Sequence, residues 1–195
     1  MAALIILICV PAMATTLVLA SDERMVDRSD LVVVGTVTGT RAVETSRGIW
    51  TLTDIVVEQT LKGTPEETIT VTEPGGSVDQ RLTVVFGAPR YEAGERVLAF
   101  LVRDGKGAWR TTDMIAGKFT ESVAEDGRRL WDRELEVLGV RVLENGMSVE
   151  ANAPEPRGRV ASELEEFIRA RAGGRPAAEA ARAEVSSPVR ADFAL

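Results

Sequence analysis

Two short apolar runs, each bounded by polar turn residues, dominate the hydrophobic pattern of this chain. They comprise residues 31–38 and residues 96–102. An unbroken apolar run of this length is typical of a β-strand that is buried on both faces, whereas a strand with one solvated face alternates. We therefore predict that these two runs are the central strands of a small β-barrel or sandwich.

Further strands are indicated by β-branched residues and by alternation. Residues 49–61 are rich in β-branched and aromatic side chains, and residues 68–72 alternate so that Ile69 and Val71 share the core face. The same period of two returns at three apolar positions further along, which predicts another strand there. These positions are Leu82, Val84 and Phe86.

Three tight-turn pairs indicate how the later strands are connected. A glycine follows Asp or Asn at residues 104–105, 126–127 and 145–146, in each case between β-prone flanks. Such pairs are a strong short-range signal of a hairpin. Strands at this spacing, without alternating helices, predict a mainly β, antiparallel domain that is closed or nearly closed.

One short helix is predicted before the first central strand and another near the end of the chain. Residues 21–23 combine an N-cap serine with two acids in the first turn. Near the other end, Ser162 and Glu165 have the spacing of a capping box, and two glycines at 173–174 end the helix. The apolar stripe of this helix consists of Leu164, Phe167 and Ile168.

Charge and rare residue types exclude several functions. The 195-residue chain has a formal net charge of −7 and no histidine, and its one cysteine, Cys9, lies in the apolar N-terminal segment. An acidic surface repels the phosphates of a nucleic-acid backbone, so nucleic acid is not predicted as a partner. Without histidine, the usual general base and the commonest zinc ligand are missing. We therefore predict no catalytic residue, no metal and no cofactor.

The two ends of the chain differ in composition from the middle. Residues 1–14 have the apolar and small-residue pattern of a secretory signal peptide, with cleavage after Ala20 and an uncleaved membrane anchor as alternatives. This predicts a secreted or periplasmic protein with no stable membrane insertion after cleavage. The other expected parts are a β-barrel domain at 15–150, a linker at 151–159, a helix at 160–172 and a disordered tail at 173–195.

Three groups of residues, 30–37, 55–63 with 68–71, and 91–101, follow one another in an order that resembles the netrin-like OB barrels. That group includes the tissue inhibitors of metalloproteinases and uncharacterised secreted bacterial proteins. The resemblance implies a five-stranded Greek-key barrel with extra hairpins and flanking helices, and a role in binding. The N-terminal cysteine and disulfides of the inhibitors have no counterpart here, so no inhibitory residue is carried over.

A predicted loop and the new N-terminus are the candidate contact points for a partner. Arg90, Tyr91 and Glu92 lie in the loop before the second central strand, and recognition residues concentrate in loops. Thr15 would become the free N-terminus after cleavage. The alternative for Tyr91 is a structural role, in which its hydroxyl bonds to the backbone at the end of the barrel.

Acidic residues near strand ends are the remaining route to catalysis. Two carboxylates held across a cleft could hydrolyse a substrate, but the sequence places no two of them opposite each other, and such acids are mostly solvated. The acids concerned are Glu73, Asp79, Glu92, Asp113 and Glu121.

We therefore predict an exported, non-enzymatic β-barrel module that binds another protein. A secreted hydrolase, with the module as its accessory or inhibitor, and a surface component are the two candidate partners. A barrel that binds a saccharide or another small ligand is the second interpretation. An Asp/Glu-dependent hydrolase is the third.

Overall fold

The computed structural model describes residues 20–64, 66–133, 141–144, 147–150 and 158–174. Strands predominate in these ranges, and a helix lies near each end of them. The helices are α1 (Asp22–Arg28) and α2 (Ala161–Ala172), with a 3-10 turn at Met114–Gly117. The strands are β1 (Leu31–Thr45), β2 (Gly48–Lys62), β3 (Thr68–Pro74), β4 (Gly76–Val78), β5 (Arg81–Thr83), β6 (Arg96–Arg103), β7 (Trp109–Thr111), β8 (Lys118–Val123), β9 (Arg129–Asp132), β10 (Arg141–Glu144), β11 (Met147–Glu150) and β12 (Arg159–Val160).

Five strands close into a barrel-like ring. They pair in the order β1-β2-β3-β7-β6, and β6 returns to β1. Strands β8, β9 and β12 extend the sheet beyond β6, while β4–β5 and β10–β11 form separate hairpins. This architecture confirms the predicted fold class: mainly β, a small ring with extra hairpins, a short N-terminal helix and a C-terminal helix.

The two apolar runs predicted as central strands pair with each other. β1 and β6 are antiparallel, with Leu31 opposite Leu101 and Gly35 opposite Val97, and β1 pairs with β2 along its other edge. Successive side chains of β1 and β6 enter two different cores, one on each face of the sheet. Both strands are therefore continuously apolar instead of alternating.

The first of these cores, the ring core, receives side chains from all five ring strands and from one loop tyrosine. The second, the helix core, lies on the opposite face, where α1 and α2 cover the sheet. The ring core consists of Leu31, Val33, Val37, Ile55, Ile69, Val71, Tyr91, Val97, Ala99, Leu101 and Trp109. The helix core consists of Met25, Val26, Val32, Val34, Leu61, Leu98, Phe100, Phe119, Trp131, Ala161, Leu164, Phe167 and Ile168.

The three predicted hairpins are present. β6 and β7 are joined across residues 104–108 and β8 and β9 across residues 124–128, while β10 and β11 pair antiparallel. The pairing departs from the predicted antiparallel pattern at one place. β3 and β7 run parallel and pair only at Val71 and Trp109.

The helices agree with the sequence except at one cap. Ser21 accepts the N–H of Arg24 at 3.4 Å, as an N-cap does, and the predicted apolar stripe of α2 is buried. The predicted capping box is wrong: Val160 occupies the N-cap, and the Glu165 carboxylate accepts the Trp131 indole N–H at 3.2 Å. Glu165 lies on the buried face of α2, so it faces the sheet and not the helix N-terminus.

A buried ion cluster ties the two ends of the described chain together. The Asp22 carboxylate receives Arg133 Nη2 at 3.1 Å and Arg159 Nη2 at 2.6 Å, and each side chain is less than one-tenth exposed. Composition had placed Arg159 in a linker, but it lies in β12 and pairs with β9. The cluster therefore fixes α1 to the extended edge of the sheet.

The strand predicted from Leu82, Val84 and Phe86 is wrong beyond Thr83. β5 has only three residues, and the three apolar side chains are 71%, 66% and 51% exposed. The reason is a missing second layer: β5 pairs with β4 in a two-stranded hairpin, and nothing in the described ranges covers its outer face. Neither described helix has the length and hydrophobicity needed to cross a membrane.

Candidate functional site

A cleft of about 450 Å³ opens between the ring and the β4–β5 hairpin. Its base is formed by β2 and β3, at Thr51, Thr53 and Glu73. One wall is the β4–β5 hairpin with the residues that follow it, and the other is the loop at 88–92. The volume is in the range of sites that bind small molecules or single side chains.

Glu73 is the buried acid at the base of this cleft. It is 5% exposed, and its Oε1 accepts the backbone N–H of Thr111 at 2.6 Å, while its Oε2 accepts Arg110 Nη2 at 3.2 Å. Burial raises the pKa of Glu73, and the contacts with Thr111 and Arg110 oppose that increase without cancelling it. Both carboxylate oxygens are therefore engaged in holding β7 against β3.

Side chains of β7 and β8 make hydrogen bonds to the loop at 88–92 beside the cleft. The Tyr91 hydroxyl hydrogen-bonds to Thr111 Oγ1 at 2.8 Å, and burial of the ring raises the pKa of this tyrosine. Lys118 Nζ donates to the Arg90 carbonyl oxygen, pairs with Glu95 at 2.8 Å and lies 5.3 Å from the Tyr91 ring. The loop is thus anchored to β7 and β8, where Thr111 and Lys118 lie.

The predicted contact residues have different positions in this wall. Arg90, Tyr91 and Glu92 all line the cleft, but the Tyr91 side chain belongs to the ring core, while Arg90 and Glu92 are exposed. Tyr91 has a structural role, which was the alternative interpretation of this residue. Its hydroxyl, however, hydrogen-bonds to the Thr111 side chain and not to the backbone. Thr15 lies outside the described residues. The partner contact itself stays a prediction.

The structure adds a feature that the sequence did not indicate: an exposed apolar row on the rim of the cleft. We call residues 82–86 the apolar strip, because Leu82, Val84 and Phe86 project from it into solvent. Residues 82–85 also form part of the cleft wall. No local sequence signal indicates this exposure, since five alternating residues are an ordinary length for a strand with one buried face.

Met114 extends the apolar surface beyond Phe86. Its side chain is 36% exposed and so close to Gly87 that a Cβ at that glycine would lie 3.5 Å from Met114 Cε. Asp113 and Met114 both have left-handed backbones, with φ of 52° and 59°. Such conformations cost about 1–3 kcal/mol each for residues other than glycine and cluster at functional surfaces.

Two of the five acids weighed as catalytic candidates, Glu73 and Glu92, line the same cleft, and the other three do not line it. Glu73 meets Arg110, Asp113 pairs with Arg28, and Glu121 pairs with Arg96 and Arg129; Asp79 and Glu92 are exposed. Within the described ranges, no three His, Cys, Asp or Glu side chains are grouped as a metal site.

Comparison of the chain with protein-family models, with curated proteins and with solved structures finds no match. The similarity to netrin-like OB barrels therefore stays a prediction from the sequence.

Proposed function

We propose that this protein is a non-enzymatic binding module that recognises another protein through the apolar strip and the cleft beside it. The observation that supports the proposal most is the exposure of Leu82, Val84 and Phe86 in one five-residue segment. Single exposed hydrophobic residues are ordinary, whereas a contiguous exposed row is characteristic of an interaction site.

The energetics of the strip favour a protein partner. Moving a valine, leucine or phenylalanine side chain from water to a buried environment contributes about 1.5–3 kcal/mol. Leu82, Val84 and Phe86 lie in one five-residue segment, and Met114 lies beside Gly87 at the end of that segment. The centres of protein interfaces are apolar in the same way.

Two further parts of the proposal rest on the sequence. The composition of residues 1–14 supports export, and N-terminal sequencing of the protein isolated from its cell tests it. The absence of histidine supports a role in binding and not in catalysis. Turnover on a hydrolase panel that disappears with Glu73→Gln, while the fold remains intact, would contradict that part.

A matched pair of variants tests protein binding. Val84 and Val123 are 66% and 67% exposed, but Val123 lies at the end of β8, away from the strip. The full chain, Val84→Glu and Val123→Glu are each purified from the producing cell with the same affinity tag. The proposal predicts a protein that co-purifies with the wild type and Val123→Glu but not with Val84→Glu. Equal recovery with all three would contradict it.

The cleft supports a second candidate, a site for a saccharide or another small polar ligand. Its base presents Thr51, Thr53 and Glu73, and its volume fits one or two sugar rings. A panel of soluble glycans, titrated by calorimetry, tests this candidate. Saturable binding that survives Val84→Glu would favour it over the protein-binding proposal, and no binding across the panel would remove it.

A further inference from the structure

We propose that the apolar strip captures an extended segment of the partner by β-strand addition, with an acidic residue of that segment against Arg90. This inference rests on the proposed function and specifies how the partner is recognised. It is carried by three features: the open backbone edge of β5, the exposed apolar side chains beside that edge, and the charge of Arg90 on the same cleft.

The backbone of the strip has free hydrogen-bonding groups. β5 is paired with β4 along one edge only. In the part of the chain that the structure describes, the N–H groups of Val84 and Phe86 have no hydrogen-bond partner. An edge of this kind is a template for a further strand, since main-chain hydrogen bonds to an added segment satisfy its free groups.

The side chains of the strip offer an apolar contact surface to an added strand. Leu82, Thr83, Val84 and Phe86 are exposed, Val85 is half-buried against the cleft, and the regular strand ends at Thr83. An added strand places its own alternate side chains opposite such a row, at about 4.5–5.5 Å between Cβ atoms. Only Arg81–Thr83 is extended as a strand, and the Ala88 N–H donates to the Val85 carbonyl oxygen in the turn that follows. The added segment therefore pairs along β5, and the residues next to it in the segment contact Val84 and Phe86.

A charge beside the strip selects the partner segment. Residues 82–86 carry no charge themselves; Arg81 and Arg90 flank them, and the acids Asp79 and Glu92 lie just beyond these arginines along the chain. Arg81 already pairs with Glu44, whereas the exposed Arg90 guanidinium has no ion-pair partner among the described residues. An apolar segment flanked by Asp or Glu complements this surface, and a segment flanked by Lys or Arg is repelled by it.

Synthetic peptides test the strand addition. The reference probe has a core of alternating valine and threonine with glutamates at both ends, and its binding to the full chain is measured by fluorescence anisotropy. Two further peptides carry backbone N-methyl groups on alternate core residues, one peptide for each edge of the added strand. The peptide whose N-methyl groups lie on the edge that faces β5 is expected to bind at least about tenfold more weakly than the reference. The peptide methylated on its other edge is expected to bind within about threefold of the reference. Equal behaviour of the two methylated peptides would overturn strand addition.

A charge exchange tests the role of Arg90. A peptide with lysines in place of the glutamates is expected to bind about tenfold more weakly to the wild type. Arg90→Gln should reduce that preference to less than about threefold, whereas Arg47→Gln, a change at an exposed arginine in the β1–β2 turn, should retain it. A preference that Arg90→Gln leaves intact would overturn the assignment.

The outcomes separate this inference from the proposed function. Co-purification that depends on Val84, together with failure of every peptide, would overturn strand addition and leave the protein-binding proposal standing. Self-association of the chain through the strip, seen by ultracentrifugation and abolished by Val84→Glu, would identify a second copy as the occupant and overturn the heterologous partner.

Discussion

The buried carboxylate of Glu73 accepts a hydrogen bond of 2.6 Å from the backbone N–H of Thr111. This contact crosses from β3 to β7, where the two strands pair through one residue pair. The Glu73 side chain therefore adds a hydrogen bond to the ring at the place where the backbone supplies fewest. Because Tyr91 bonds to the side chain of the same Thr111, the closure of the ring and the wall of the cleft share one anchor.

Glu73 should make the stability of the protein depend on pH in a specific direction. Because folding raises the pKa of this carboxyl, its stabilising contribution is complete below about pH 4.3, the pKa of glutamate in water, and is lost as pH rises through the folded value. Relative to the wild type, Glu73→Gln should therefore gain stability as pH increases above that point. Urea unfolding of both proteins from pH 4 to pH 8 measures this difference.

Asp54 provides a control of opposite sign. Its hydrogen bond from Thr70 and its pair with Arg41 lower the pKa of this carboxyl, so its contribution is present at neutral pH and is lost as pH falls through the lowered value. The loss of unfolding free energy caused by Asp54→Asn should become smaller as pH falls. The difference in unfolding free energy between Glu73→Gln and the wild type should instead change as pH rises above the pKa of free glutamate. Parallel stability curves for wild type and Glu73→Gln would contradict the account of Glu73.

Local signals explain which parts of the fold could be predicted from the sequence. The apolar runs of β1 and β6 are continuous because both faces are buried, and the stripe of α2 has a helical period. Each signal resides within a few neighbouring residues. The two central strands, the three hairpins and the two helices could therefore be located from the sequence.

The remaining features depend on residues far apart in the chain. The single parallel pair between β3 and β7, the contact of Arg159 with Asp22 and the bond from Trp131 to Glu165 have no local pattern. The apolar strip shows the limit most clearly. An alternation of period two looks the same whether a second layer covers it or not, so exposure could not be deduced from the pattern.

The buried ion cluster should be far more sensitive to substitution than an exposed pair. Asp22→Asn leaves Arg133 and Arg159 without their shared carboxylate, and removal of one partner from a buried pair typically costs about 3–5 kcal/mol. Asp27 pairs with Arg171 at the surface, and Asp27→Asn is the matched control with a smaller effect. Chemical denaturation at pH 7 compares the two variants, and equal losses would contradict the account of the cluster.

Two valines distinguish the strip from the core. Val84→Thr should change the free energy of unfolding by less than about 0.5 kcal/mol, because the side chain is already in water. Val33→Thr should lower it by about 1–3 kcal/mol, because Val33 is fully buried in the ring core and the new hydroxyl would be desolvated there. A loss at Val84 as large as that at Val33 would mean that the strip is packed in solution.

The Tyr91 hydroxyl should contribute to stability and not to recognition. Tyr91→Phe removes its bond to Thr111 and should cost about 1 kcal/mol, while the ring stays in the core. Partner recovery by the variant should equal that of the wild type. A wild-type stability with impaired partner recovery would instead assign Tyr91 to the contact surface.

Photo-crosslinking within the producing cell tests the apolar strip as a binding surface most directly. A photoreactive phenylalanine derivative is placed at position 84 in the full chain and, in a second protein, at position 123, which is equally exposed. The account predicts a discrete adduct of the chain with another protein from position 84 and none from position 123. Adducts of equal yield from both positions, or none from position 84, would contradict it.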